Sequence, residues 1–337
     1  MSKSKEVEVD RKKDHIELAE SSQTPSGFQD SRFFYEPMLN RHPDDREIKA
    51  VPFGNKNLTY PIWVSSMTGG TQMARTINQN LARACREFGF GLGLGSCRKL
   101  LESPESIPDF DVRTIIGSEL PLYANLGIAQ VEQWLQANKK DDIKKIVQLL
   151  RADGLIIHVN PLQEYMQSEG DRFKCKPIDT IKKVLDIFSF PIIVKEVGQG
   201  MGPQSLKALL ELPLQAIEFA AFGGTNFSLL EMQRKSSVDP SLLPLARVGH
   251  TAEEMLNYCN EIKSGGKINC RQLIISGGIR DYLDGYYCIS KSDIPAIYGQ
   301  ASSFLKFAQQ DYEVLQKYIQ SQIQGLNLAF SFLKIKS

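Results

Sequence analysis

The chain has 337 residues, with 40 Lys and Arg against 39 Asp and Glu, and 42% of it is hydrophobic. Near-neutral charge leaves no global basic field to draw it to nucleic acid or an anionic membrane, and no apolar run approaches the ~20 residues needed to span a bilayer. The opening MSKSKEVEVDRKKDHIELAE lacks the apolar stretch of a secretory signal, and six scattered cysteines without a CxxC pair predict free thiols in a reducing cytoplasm, not a zinc site or a disulfide framework.

The first 60 residues are polar and punctuated by Pro25, Gly27, Pro37, Pro43, Pro52 and Gly54, which predicts an irregular N-terminal arm over 1–60. From there short apolar runs alternate with amphipathic stretches. Strands are predicted at 62–67, 89–95, 122–126, 154–159, 191–197, 216–221, 272–276 and 294–298. Their near-continuous apolar character suits parallel strands buried on both faces. Helical spacing fills the intervals at 71–88, 128–137, 142–151, 179–188, 204–212, 228–233, 251–262 and 302–309. Eight such units over 61–310 predict an α/β fold, a (β/α)8 TIM barrel. The amphipathic stretch 311–333 predicts a C-terminal helical extension within 311–337, either capping the barrel or forming a subunit contact. The segments 161–177 and 235–250 exceed ordinary loop length and are expected to overhang the barrel mouth.

In such a barrel the residues that follow each strand converge on one face. In order they are Ser66-Met67-Thr68, Ser96 with Arg98, Asn125, then His158, Asn160, Gln163 and Glu164, Lys195 with Glu196, Thr225, Ser276-Gly277-Gly278-Ile279-Arg280, and Ala301-Ser302. Lys195 stands inside an apolar strand; burying it without a partner costs several kcal/mol, so it is expected to point at an anion or an electron-rich ring. SGGIR at 276–280, with a helix starting after the eighth strand, offers bare N–H groups and a helix N-terminus to a phosphate. Ser66, Thr68, Ser96 and Asn125 suit a flat polar ring such as a flavin. Glu164, with no adjacent cation in sequence, suits Mg²⁺ completed by water and substrate phosphate. Arg11 and Lys12 belong either to a solvated charge run or to a clamp for a diphosphate.

Together these segments resemble the type 2, flavin-dependent isopentenyl-diphosphate delta-isomerases. The resemblance rests on RKKDH at 11–15, SSMTGG at 65–70, GLGSCR at 93–98, ANLG at 124–127, HVNPLQE at 158–164, EGDR at 169–172, VKEVGQG at 194–200, FGGTNF at 222–227 and SGGIR at 276–280. It implies interconversion of isopentenyl and dimethylallyl diphosphate with reduced FMN, Mg²⁺, and NADPH to reduce the flavin. It further implies a substrate site of Arg11, Lys12, Arg98, His158, Asn160 and Gln163, with Gln163, His158 and Lys195 acting in catalysis and Glu164 as the metal ligand. FMN would meet Ser66, Met67, Thr68, Ser96, Asn125, Lys195, Thr225, Gly277, Gly278, Arg280, Ala301 and Ser302. Relatives of this kind imply a homo-oligomer, a tetramer or octamer. The chain departs from the family's pattern at MLNRHPDD (38–45), DYLDGYYC (281–288) and YGQASSFL (298–305). A 2-hydroxy-acid oxidase on the same barrel would need His followed closely by Arg near the seventh strand, whereas His250 is followed by Thr-Ala-Glu-Glu.

Overall fold

The computed structural model describes residues 11–44, 50–66, 72–234 and 241–336. Within them the chain runs α1 (11–18), β1 (Phe33–Tyr35), β2 (Val51–Phe53), β3 (Lys56–Leu58), β4 (Ile62–Val64), α2 (Gln72–Phe88), β5 (Gly91–Gly93), α3 (Lys99–Glu102), α4 (Ile107–Phe110), α5 (Arg113–Ile116), β6 (Leu122–Gly127), α6 (Ile128–Gln136), α7 (Lys140–Leu149) and β7 (Gly154–His158). It continues through α8 (Pro161–Met166), α9 (Pro177–Ile187), β8 (Ile192–Lys195), α10 (Pro203–Leu210), β9 (Ala216–Glu218), α11 (Phe227–Arg234), α12 (Ala252–Gly265), β10 (Gln272–Ser276), α13 (Tyr282–Lys291), β11 (Ala296–Gln300), α14 (Ser302–Ala308), α15 (Tyr312–Phe332) and β12 (Leu333–Ile335). Strands β4 to β11 close into an eight-stranded parallel barrel in sequence order, as the alternation of apolar runs and helices predicts.

Two apolar layers follow from the strand pleat. Trp63, Tyr123, Ile156, Ile193, Ala216, Ile274 and Ile297 point inward and pack with Phe53 and Leu58 of the β2–β3 hairpin, while alternate residues face the helices. The hairpin thus plugs the barrel on the side where β4 begins, and Phe53 stacks on Trp63 with centroids 5.0 Å apart.

Several sequence boundaries move, each for a local reason. The sixth barrel strand ends at Glu218 and not at residue 221, because Ala220 adopts φ +42°, outside the extended region. The last one occupies 296–300 where 294–298 was predicted; Pro295 has no N–H to donate, and pairing with β4 carries the ladder on to Gln300. The stretch expected to be a long loop after β7 opens with α8, whose Pro161 is tolerated in a first helical turn. Nor is the arm irregular throughout, since β1 pairs antiparallel with β12, Phe33 opposite Ile335. The α15 helix packs on α13, α14 and α2 against the barrel wall. No helix of the described residues is long and apolar enough to cross a membrane.

Candidate functional site

The mouth at the carboxyl ends of the strands carries a continuous row of polar side chains across neighbouring strands. Asn125 (β6), His158 (β7), Lys195 (β8), Glu218 (β9) and Ser276 (β10) lie on adjacent strands, with His158 in register with Lys195 and Lys195 with Glu218. Asn125 Nδ2 donates to the Leu94 carbonyl at 2.9 Å, which leaves its Oδ1 to accept from His158 Nδ1 at 2.8 Å. His158 is therefore protonated on Nδ1 and presents a bare Nε2. Burial, with the Lys195 ammonium nearby, pushes its pKa down to about 3. Lys195, also buried, donates to the Glu196 carbonyl at 2.8 Å. The Glu196 carboxylate accepts the backbone N–H groups of Gly198, Gln199 and Gly200 at 2.7, 2.6 and 2.9 Å, which fixes the loop beyond β8.

Beside this row a cleft is lined by Ser66, Lys195, Gly224, Thr225, Gly277, Gly278, Ala301 and Ser302 among others. Its glycines keep backbone against backbone. Gly277 has φ +86°, and a Cβ there would stand 2.1 Å from the Ala221 nitrogen. Across the gap, a Cβ on Gly224 would meet the Gly278 nitrogen at 3.1 Å. The bare amides, the N-terminus of α14 and the buried, unbonded Ser66 hydroxyl form a donor set that fits a phosphate-bearing group with a polar ring. Of the residues expected around such a group, Ser66, Lys195, Thr225, Gly277, Gly278, Ala301 and Ser302 line this cleft and Asn125 sits in the adjoining row. Ser96 is exposed beyond β5. Arg280 turns to Asp284, which accepts its Nε at 2.9 Å, and its side chain is 79% exposed. Met67 and Thr68 lie outside the described residues.

The α8 turn builds the second half. Asn160, 2% exposed, donates to Gln163 Oε1 at 3.1 Å and to Glu164 Oε1 at 2.9 Å, and its own Oδ1 is buried without a hydrogen bond. Glu164 Oε2 accepts the Asp171 N–H at 2.8 Å, so the carboxylate is held at both oxygens. Among the described residues no group of three His, Cys, Asp or Glu forms a ready metal cage. Arg98 reaches the same loop through Asp171 at 3.2 Å and also pairs with Glu102. Arg11 and Lys12 lie on exposed α1, and among the described residues neither makes an ion pair; the structure does not bring them to the mouth.

Three acidic residues escaped the sequence. Glu231 on α11 is buried and accepts Gln163 Nε2 at 3.2 Å, Gln167 and the Arg234 guanidinium. Its partner is 68 residues away, so no local pattern marks it. Asp171 was visible only as part of EGDR. Glu218, a carboxylate inside an apolar strand, carried the same signal as Lys195.

No protein-family model matches the sequence. Among solved structures, the chain resembles a mandelate oxidase mutant bearing a monooxide FMN adduct, with TM-score 0.58, 13% identity, and 90% and 88% of the two chains covered. It also resembles the recombinant flavin-binding domain of baker's yeast flavocytochrome b2, with TM-score 0.60, 11% identity, and 89% and 72% covered. At these identities the likeness establishes the barrel fold alone. The curated relatives reach further: isopentenyl-diphosphate delta-isomerase of Rickettsia felis is 32% identical over 334 residues, covering 97% of this chain and 93% of the relative. That of Rickettsia africae is 33% identical, with 97% and 94% covered. With that identity along nearly its whole length, the chain belongs to the isopentenyl-diphosphate delta-isomerase family.

Proposed function

We propose that the protein is a type 2 isopentenyl-diphosphate delta-isomerase, moving a double bond between isopentenyl and dimethylallyl diphosphate with no net oxidation. The observation that carries this reading is the junction of two sites at one mouth: the glycine-lined phosphate cleft beside Lys195, and the Asn160–Gln163–Glu164 turn beside His158. FMN is assigned to the cleft, where Gly224, Gly277, Gly278, the start of α14 and Lys195 would hold it. When bound and reduced by NADPH, it supplies the proton donor and the electron-rich surface that a reacting alkene needs.

The protein's own groups do the rest. Neutral His158, with Nε2 free, orients substrate by accepting a hydrogen bond. Gln163 is held at both ends of its amide, by Asn160 and by Glu231, and faces the alkene either to position it or to pass a proton toward Glu231. Glu164 would hold Mg²⁺, which would supply positive charge to the substrate diphosphate. Arg11 and Lys12 close on the diphosphate from the arm, with Arg98 at the rim, and ordering of the arm excludes water. The exposed Phe34, Tyr35, Met38 and Leu39 beside β12 support assembly of several copies, a tetramer or octamer.

The test is direct. The purified protein should be yellow and should isomerise isopentenyl diphosphate with FMN, Mg²⁺ and NADPH, and only once the flavin is reduced. Activity that persists without flavin would overturn the reading. Anaerobic bleaching of the flavin by lactate or glycolate would point instead to a 2-hydroxy-acid oxidase.

A further inference from the structure

Glu218 has no part in the functional reading above, yet it is among the most enclosed ionisable groups of the barrel. Its side chain is 0% exposed and faces the interior from the end of β9, directly in register with Lys195 on β8. It reaches the floor of the phosphate cleft, where Lys195, Ser65 and Ser276 also appear. Its bonding is thin for a buried carboxyl: Ser276 Oγ lies 3.4 Å from Oε1, and Oε2 has no hydrogen bond. Burial raises its pKa, against which the buried Ser65 hydroxyl and Trp63 indole N–H, facing it, favour its charged form. Such a group is costly to bury without compensation. Below it on the same strands the inward-facing layer is apolar, with Ala216, Ile193 and Ile274, so Glu218 stands where the polar row of the mouth meets the apolar barrel core.

What distinguishes position 218 is its neighbour. Lys195 does not pair with a carboxylate within ion-pair distance; it donates to the Glu196 carbonyl. Glu218 thus acts on Lys195 through the field across one strand spacing, inside a low-dielectric barrel where such a field is weakly screened.

We propose that Glu218 tunes the flavin site: its carboxyl group, one strand spacing from Lys195, balances the Lys195 charge against which the flavin ring is oxidised or reduced. This rests on the assignment of FMN to the cleft. Removing the carboxylate leaves the Lys195 charge uncompensated, which favours the anionic reduced ring over the neutral oxidised one.

The experiment measures the reduction potential of bound FMN in the unmodified protein, in Glu218→Gln and in Glu218→Asp, by equilibration with a reference dye. The Gln variant should shift the reduced-to-oxidised ratio at fixed potential by roughly tenfold toward reduced flavin, about 30 mV upward for a two-electron couple. The Asp variant, which keeps the charge, should stay near the unmodified value. FMN bound by the Gln variant at an unchanged potential would overturn the role of Glu218 and leave the flavin assignment standing. So would loss of flavin from both variants, which would make the residue architectural only. Failure of the unmodified protein to bind FMN would instead overturn the flavin assignment itself.

Discussion

Nδ1 of His158 lies 2.8 Å from Oδ1 of Asn125, and because the amide's nitrogen is already committed to the Leu94 carbonyl, the imidazole is fixed in one tautomer with its Nε2 unprotonated. The ring is held neutral by burial and by Lys195, with its pKa near 3 against 6.5 in an open chain. The folded state therefore binds this proton less readily than the unfolded one. His158 favours the fold fully above pH 6.5, and that advantage fades as pH falls from 6.5 toward 3. His158→Gln should flatten this acid limb. Urea unfolding at pH 7 and pH 5 should show the unmodified protein losing up to about 2 kcal/mol more than the variant between the two. Equal losses would show that the ring titrates normally in the fold.

Glu164 is gripped by Asn160 on one oxygen and by the Asp171 N–H on the other. A glutamine keeps the shape but presents an N–H₂ to one of two donors and removes the charge. Glu164→Gln should weaken the Mg²⁺ requirement at least tenfold in apparent affinity and remove most isomerase activity, with thermal stability little changed. An unaltered Mg²⁺ titration would take the metal away from Glu164.

Neighbouring glycines at the phosphate cleft should respond differently. At Gly277 an added Cβ strikes the Ala221 backbone at 2.1 Å, whereas at Gly278 the nearest atom is an ordinary 3.4 Å away. Gly277→Ala should lose FMN and at least about 2 kcal/mol of stability. Gly278→Ala carries only the strain of its positive φ, about 1 kcal/mol, and should retain flavin. Comparing melting curves and bound-flavin absorbance of the two variants checks the geometry.

Arg11 and Lys12 lie on a solvent-facing helix without ion-pair partners among the described residues, so their removal should leave folding within about 0.5 kcal/mol of the original. If they clamp the diphosphate, each Ala substitution should raise KM by about tenfold or more, the loss expected for one charge-assisted hydrogen bond. Unchanged KM in the double variant would return them to the solvated charge run they otherwise form.

The barrel was legible because its strands are short apolar runs with little polar interruption, and that pattern survives in any one sequence. The strand-end residues were legible for the same reason: once β7 is found, His158 and the α8 turn follow by position. Strand limits were not, since the break at Ala220 depends on a positive φ that no alanine announces. Neither was Glu231, whose meaning lies in a contact with Gln163 across two helices. The arm's order was hidden too, because β1 exists only by pairing with a strand some 300 residues later, between Phe33 and Ile335.

That last pairing makes the ends of the chain a latch. The arm that carries Arg11 and Lys12 is tied down through β1, and β1 is held by β12, by the Glu36 N–H bonded to the Phe332 carbonyl at 2.8 Å and by Asn40 on Ser331. Clipping the chain just before Leu333 would leave every barrel strand in place and remove the β1–β12 ladder, leaving the arm on the Glu36–Phe332 and Asn40–Ser331 bonds alone. Such a cut would loosen the arm at one end of the chain while leaving the cleft at the carboxyl ends of the barrel strands untouched.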